Sequence, residues 1–282
     1  MKVITSIKDM QAEIMNQKGS GKSIGFVPTM GYLHEGHLTL ISQARKENDT
    51  VVLSIFVNPL QFGPSEDFST YPRDFERDRA LAEAEKVDYV FYPSVEEMYP
   101  HVPSVKAVVQ ERTGVLCGES RPGHFDGVAT VLTKLFNIMT PTRAYFGKKD
   151  AQQVAVIDGL ISDFNFPIEL IAVDIVREAD GLAKSSRNVN LLPDERQQAA
   201  VLYRSLQAAK KAIDQGERNP EGLMNMIKEM ITCGSKGRID YVEILSYPQL
   251  KSLEKLDGTI IIALAVKFSK VRLIDNFIIH ID

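Results

Sequence analysis

Ile24-Gly25-Phe26-Val27-Pro28-Thr29-Met30-Gly31-Tyr32-Leu33-His34-Glu35-Gly36-His37 is the stretch from which the rest of the chain can be read. Residues 24–27 form a short apolar run of the kind a buried strand needs, and Pro28, Thr29, Met30 and Gly31 stop it in a turn. A helix is expected to begin close to Gly36 and His37. In an open α/β sheet, ligands bind where the carboxyl end of a strand faces a helix N-terminus, because unpaired backbone N–H groups there attract phosphate. Gly31 and Gly36 remove side chains where a nucleotide must approach the backbone, and His34 and His37, three residues apart, can point to one side of the first turn. Two imidazoles donating to a phosphorus centre imply an enzyme that attacks ATP at its α-phosphate. A plain surface loop is the competing reading. A zinc site lacks the His-Glu-x-x-His spacing and any nearby cysteine.

Around this turn, short β-branched runs alternate with amphipathic stretches up to about residue 176, the signature of successive βαβ units. Strands are expected at 24–27, 51–57, 89–92, 144–146 and 168–176, the second and last apolar enough to be covered on both faces. Helices are expected at 37–47, 74–86, 126–139 and 150–164. After Arg177 the order changes, with helices over 193–215 and 220–232 preceding strand-like runs at 239–245, 259–266 and 271–281. The fold class is therefore α/β: a Rossmann-like parallel-sheet domain over residues 1–176, then a small α+β domain over 177–282. The polar, turn-prone segment before residue 188 is the boundary.

Composition narrows the function classes. The 282 residues, 44% hydrophobic and 25% charged, allow two cores. Net charge is −4 with basic residues spread along the chain, so no nucleic-acid footprint is visible. The longest apolar runs, 51–57 and 259–266, fall far short of the roughly 20 residues of a membrane helix. The first nine residues lack the apolar core of a secretory signal, and cytosolic residence is expected. Cys117 and Cys233 are too few for a disulfide framework and form no CxxC pair.

Three further strand ends carry polar groups. Asn58 and Gln61 share one sheet edge, and Gln61, able to donate and accept, suits a ligand with hydroxyl and carboxylate groups, although a glutamine serving loop backbone would look the same. Gly147-Lys148-Lys149-Asp150 offers a cation for phosphate and an acceptor for ribose, and Asp150 is equally a preferred helix cap. Lys184-Ser185-Ser186-Arg187 sets two hydroxyls between two cations, as a phosphate clamp on a closing loop or a solvated linker would. In Arg121-Pro122-Gly123-His124-Phe125-Asp126-Gly127, Arg121 could contact an anion while Asp126 and Gly127 shape the entry to a helix.

Taken together the chain resembles the adenylyl-transferring superfamily that includes class I aminoacyl-tRNA synthetases and, within it, the pantoate–β-alanine ligase family. The likeness rests on Pro28-Thr29-Met30-Gly31 through His37, Phe56-Val57-Asn58-Pro59 with Gln61-Phe62, and Tyr71-Pro72-Arg73. It continues in Arg121-Pro122-Gly123-His124-Phe125, Gly147-Lys148-Lys149-Asp150 with Gln153, and Ser185-Ser186-Arg187-Asn188. The resemblance implies that pantoate, ATP and β-alanine give pantothenate, AMP and pyrophosphate through a pantoyl-adenylate. It implies His37 as proton donor, with His34 and Lys149 stabilising charge, and Gln61 and Gln153 holding pantoate, with Asn58 and Arg121 nearby. ATP would be surrounded by Met30, Gly31, His34, Gly36, His37, Gly147, Lys148, Lys149, Asp150, Val176, Lys184, Ser185, Ser186 and Arg187. Lys184 stands where the family often has an apolar residue such as Met. Mg2+ is implied without a dedicated protein cage, as are small-molecule partners only, no membrane partner, and a homodimer. The competing functions are a nucleotidyltransferase acting on a phosphorylated metabolite and a nucleotide-sensing module without catalysis.

Overall fold

Two elements that the periodicity misses come first, strand β1 (Lys2–Ile4) and helix α1 (Ile7–Gly19). β1 is only three residues long, and α1 buries just Met10 and Ile14, so neither leaves a strong pattern. The chain continues through β2 (Ile24–Thr29), α2 (Glu35–Glu47), β3 (Thr50–Ile55), α3 (Phe75–Ala84), β4 (Tyr89–Phe91), α4 (Val95–Met98) and α5 (Leu116–Ser120). Then come α6 (His124–Met139), β5 (Arg143–Gly147), α7 (Ala151–Asp163) and β6 (Glu169–Val173). The computed structural model describes residues 1–64 and 68–281.

These six strands form one parallel sheet in the order β1-β4-β3-β2-β5-β6. The chain runs outward from β2 to β3 and β4, then returns to place β5 and β6 on the other side of β2. The reversal between β2 and β5 is the point where such sheets bind ligands, at the carboxyl ends of the strands. Pro28 helps open that crevice. The Ile24 carbonyl accepts from Thr142 N, so even-numbered residues of β2 face β5, and Pro28 has no N–H to give. β2 accordingly pairs with β3 as far as Thr29↔Ile55 but with β5 only at Gly25↔Arg143 and Phe26↔Ala144.

The alternation of the strands sorts the core into two layers. Ile24, Phe26 and Val52 pack with Met10 and Ile14 of α1, Leu132 and Phe136 of α6, and Ile157 of α7. Val27, Val51 and Leu53 pack on the other face against Leu40, Ile41 and Ala44 of α2 and Ala82 of α3. Burying each such large side chain contributes about 1.5–3 kcal/mol. The expected long strand over 168–176 is shorter: β6 ends at Val173 and runs from exposed Glu169 to buried Val173, as an edge strand does.

The C-terminal part contains α8 (Pro193–Gln198), α9 (Ala200–Asp214), α10 (Pro220–Gly234) and the antiparallel sheet β7 (Arg238–Ser246), β8 (Gly258–Lys267) and β9 (Arg272–Ile281). The single helix expected over 193–215 is divided at Ala199, which keeps helical torsions (φ −58°, ψ −24°). Leu202, Leu206, Ile227 and Ile231 cover one face of this sheet. Its other face packs Ile261 and Ala263 against Leu116, Ala151 and Ala155, which seats the small sheet on the first turns of α7.

Candidate active site

His34 is the N-cap of α2, and its Nδ1 accepts from Gly36 N at 3.1 Å. His37, in the first turn, returns the contact: its Nδ1 accepts from His34 N at 3.3 Å. The rings lie 4.1 Å apart, centroid to centroid. Because Nδ1 is the acceptor in each ring, the proton of each neutral imidazole sits on Nε2, leaving one N–H per histidine to donate elsewhere. Burial lowers the His34 pKa to about 4, helped by the nearby Lys149 cation. Burial, then His34 and Lys149, lowers that of His37 to about 3. Both rings are therefore neutral donors at physiological pH.

The turn before them is held by a residue the motif reading passed over. Asp78 of α3 is 1% exposed, and its two carboxylate oxygens accept from Tyr32 N and Leu33 N, both at 2.7 Å. Gly31 adopts φ +86°, and a Cβ there would lie 3.0 Å from Asp78 Oδ2 and from Ile55, so this carboxylate and the glycine fit each other. Asp78 has no legible signal in sequence, being one acidic residue among several on a polar helix.

The amides after β3 form a linked set. Asn58, 1% exposed, donates through Nδ2 to Gln61 Oε1 (3.2 Å) and Gly127 O (3.1 Å) and accepts at Oδ1 from Leu60 N (3.3 Å) and the Tyr99 hydroxyl (2.9 Å). Its hydrogen-bonding capacity is used up, so it positions Gln61. Burial raises the Tyr99 pKa, which keeps that hydroxyl a donor. His124, another residue without an assigned role in sequence, bridges the same region: its Nδ1 lies 2.8 Å from Gln61 O and its Nε2 3.0 Å from Arg121 Nη1. Arginine only donates, so Nε2 accepts and Nδ1–H donates to the Gln61 carbonyl.

A cavity of about 230 Å³ unites these groups. Met30, His34, His37, Asn58, Gln61, Arg121, Lys149, Asp150, Gln153, Ser185, Ser186 and Arg187 line it, over an apolar floor of Phe56, Val128, Val131, Leu132, Leu135 and Phe146. A larger cleft of about 680 Å³ shares Arg121, Lys149, Asp150 and Ser185 to Arg187, and it reaches the β8–β9 turn at Lys267, Lys270 and Arg272. Gly31, Gly36, Gly147, Lys148, Val176 and Lys184 are in the walls of neither. Lys148 pairs with Asp174 at 2.6 Å. Lys184 pairs with Glu35 and Glu178, which ties the loop carrying Ser185 to the start of α2. Asp150 heads α7 without a side-chain capping bond, so the cap alternative for its carboxylate does not hold. Among the described residues no three His, Cys, Asp or Glu side chains converge as metal ligands.

The arrangement sets two glutamine amides, the Lys149 cation and two imidazole N–H donors around one cavity. Comparison with known proteins gives the family. The family model described as pantoate-beta-alanine ligase matches residues 2–278. Pantothenate synthetase of Geobacillus sp. is 64% identical over 281 residues, covering 100% of both chains. The enzyme of that name from Bacillus cereus is 62% identical over 276 residues, covering 98% of each. The crystal structure of pantothenate synthetase from Thermus thermophilus matches with a TM-score of 0.92 at 44% identity, over 98% of this chain and 99% of that one. The pantoate-beta-alanine ligase of Francisella tularensis, complexed with beta-gamma ATP and beta-alanine, matches at 0.79 and 36% identity, over 98% and 97%.

Proposed function

We propose a working site from one premise: this chain belongs to the pantoate–β-alanine ligase family. Its reaction is the ATP-dependent joining of pantoate and β-alanine to pantothenate through a pantoyl-adenylate, with release of pyrophosphate and AMP. In the first step the pantoate carboxylate attacks the α-phosphorus and pyrophosphate leaves. In the second the β-alanine amine attacks the activated acyl carbon and AMP leaves. A carboxylate needs the first step because it is a poor electrophile until a good leaving group is attached.

Gln61 and Gln153 hold the hydroxyl and carboxylate groups of pantoate, and its dimethyl-substituted carbon lies on the apolar floor. Asn58 acts through Gln61. Arg121, oriented by His124, faces the carboxylate of one of the two acids. Lys149, Ser185, Ser186 and Arg187 take the phosphates, and Asp150 the ribose. The N–H groups of His34 and His37 stabilise charge on the α-phosphoryl oxygens, so His37 acts as a hydrogen-bond donor with its proton retained. Gly31, Gly36, Gly147, Val176 and the Lys184 backbone shape the nucleotide's path, while the side chains of Lys148 and Lys184 brace loops.

Mg2+ fits as an ion carried by the phosphates: it needs few protein ligands when phosphate oxygens and water supply the rest, and it neutralises polyphosphate charge. We divide the chain into a catalytic domain, 1–176, and a lid, 177–282. We place the reaction in the cytoplasm, where unpaired Cys117 and Cys233 stay reduced. No described helix is long and apolar enough to cross a membrane.

The observation that carries this reading is the meeting of the histidine pair, the two glutamines and Lys149 around one cavity at the strand-order reversal. Pyrophosphate release tests it. With ATP and pantoate alone, about one equivalent per site is expected, and steady turnover only when β-alanine is added. No pantoate-dependent release would reject the assignment.

A further inference from the structure

Two loops of the site are held by a single strand of the C-terminal sheet. Asn276 of β9 is 4% exposed, and its side-chain amide donates to the carbonyls of Lys148 (2.9 Å) and Lys149 (3.0 Å). One residue earlier, buried Asp275 accepts from the two terminal guanidinium nitrogens of Arg177, at 2.7 and 2.9 Å. Successive strand residues project to opposite faces, so β9 reaches both ways at once. Arg177 also stacks on Tyr203 and Phe277, donates to Gly181 O (3.0 Å) and pairs with Ala183, and so fixes the base of the loop that presents Ser185 and Ser186. Asp275 Oδ1 accepts from Asn276 N at 2.8 Å, which joins the two grips.

Packing alone does not account for Asn276. Its neighbours on that face, Ile274 and Ile278, are apolar, and an apolar side chain would fill the space while leaving two successive carbonyls of the Lys148–Asp150 turn without this donor. Those two peptides flank Lys149, which lines the cavity.

We propose that Asn276 is a positioning residue for adenylation. It fixes the backbone that carries Lys149, and with Asp275 it makes the placement of the cation clamp depend on the docking of the C-terminal sheet. The inference rests on the assignment of Lys149 to the nucleotide phosphates.

The test is a double-mutant cycle of Asn276→Ala and Lys149→Ala, read as the single-turnover rate of pantoyl-adenylate formation, with KM for pantoate and Tm measured in parallel. Asn276→Ala is expected to slow adenylation about 10- to 100-fold, the scale of a misplacement near 1 Å, with KM for pantoate changed less than about twofold. In the Lys149→Ala background the same substitution is expected to add less than about twofold. Equal losses in both backgrounds, or a folded Asn276→Ala protein with the wild-type rate, would overturn the inference. A wild-type rate in Lys149→Ala alone would remove the role of Lys149, and the inference with it. If Asn276→Ala does not fold, Asn276→Ser, which keeps one donor, carries the same cycle with a smaller loss expected.

Discussion

His34 and His37 stay neutral because their surroundings deny them a proton. Their pKa values, about 4 and about 3, lie below the ordinary 6.5, so the unfolded chain takes up protons that the folded one refuses. The stability this pair confers is complete above pH 6.5, falls as the pH drops from 6.5 toward 4, and has no further slope below about 3. Wild type should therefore lose more Tm between pH 7 and pH 4.5 than the His34→Gln/His37→Gln double variant, measured by calorimetry without ligands. Equal losses would contradict the neutral-donor account. For catalysis, His37→Ala should lower the adenylation rate about 100- to 1,000-fold, the usual cost of deleting one oxyanion donor. At pH 8 its Tm should stay within a few degrees of wild type, since the losses are the 3.3 Å contact to His34 N and the packing against the His34 ring.

Elements give these residues their placement. Helix α3 holds the turn through the Asp78 carboxylate, and Asp78→Ala would leave two amides unbonded, one buried and one half-buried, a cost of about 2–4 kcal/mol. Asp78→Asn keeps one acceptor and should cost about half as much. Urea titration measures both, and the two variants are expected to rank the same way in adenylation rate. Helix α6 meets the turn Pro59–Gln61 so closely that a Cβ on Gly127 would sit 2.2 Å from Leu60 O. Gly127→Ala must push that backbone away and carry Gln61 with it. The expected result is a KM for pantoate raised about tenfold or more while KM for ATP changes little; the reverse pattern would detach Gln61 from the pantoate subsite.

At the scale of the molecule, the segment after α4 leaves Val102, Val105 and Val108 exposed, with Phe164 also exposed and lining a cavity of about 360 Å³ beside Val105. Ala107 N and Val109 N are bonded to Thr130 and Asp126 of α6, which ties the strip to that helix. We propose this surface as the contact face of a homodimer, because its apolar side chains are exposed together. Light scattering should give twice the 31.5 kDa chain mass, and Val105→Asp/Val108→Asp should shift it toward the monomer with adenylation largely kept. A monomeric mass for wild type would remove the dimer.

The order of residues alone settled the βαβ series, the helices-then-strands arrangement of the C-terminal part, and the motifs that end at the cavity. Those are local properties: a strand, a turn and the side chains beside it are written within a few consecutive residues. β1 and α1 escaped because three strand residues and two buried helix positions make too little pattern, and the edge position of β6 escaped because apolar content does not say how many neighbours a strand has. It took the folded chain to bring Asp78 to the amides of Tyr32 and Leu33, 46 and 45 residues away, and Asn276 to Lys148 and Lys149, 128 and 127 away. Folding likewise tied the side chains of Lys148 and Lys184 to carboxylates and left that of Lys149 in the cavity wall. A lone polar residue on a helix or strand carries no mark of its partner, because the energy that fixes it comes from desolvation and hydrogen bonds that exist only after the chain has folded.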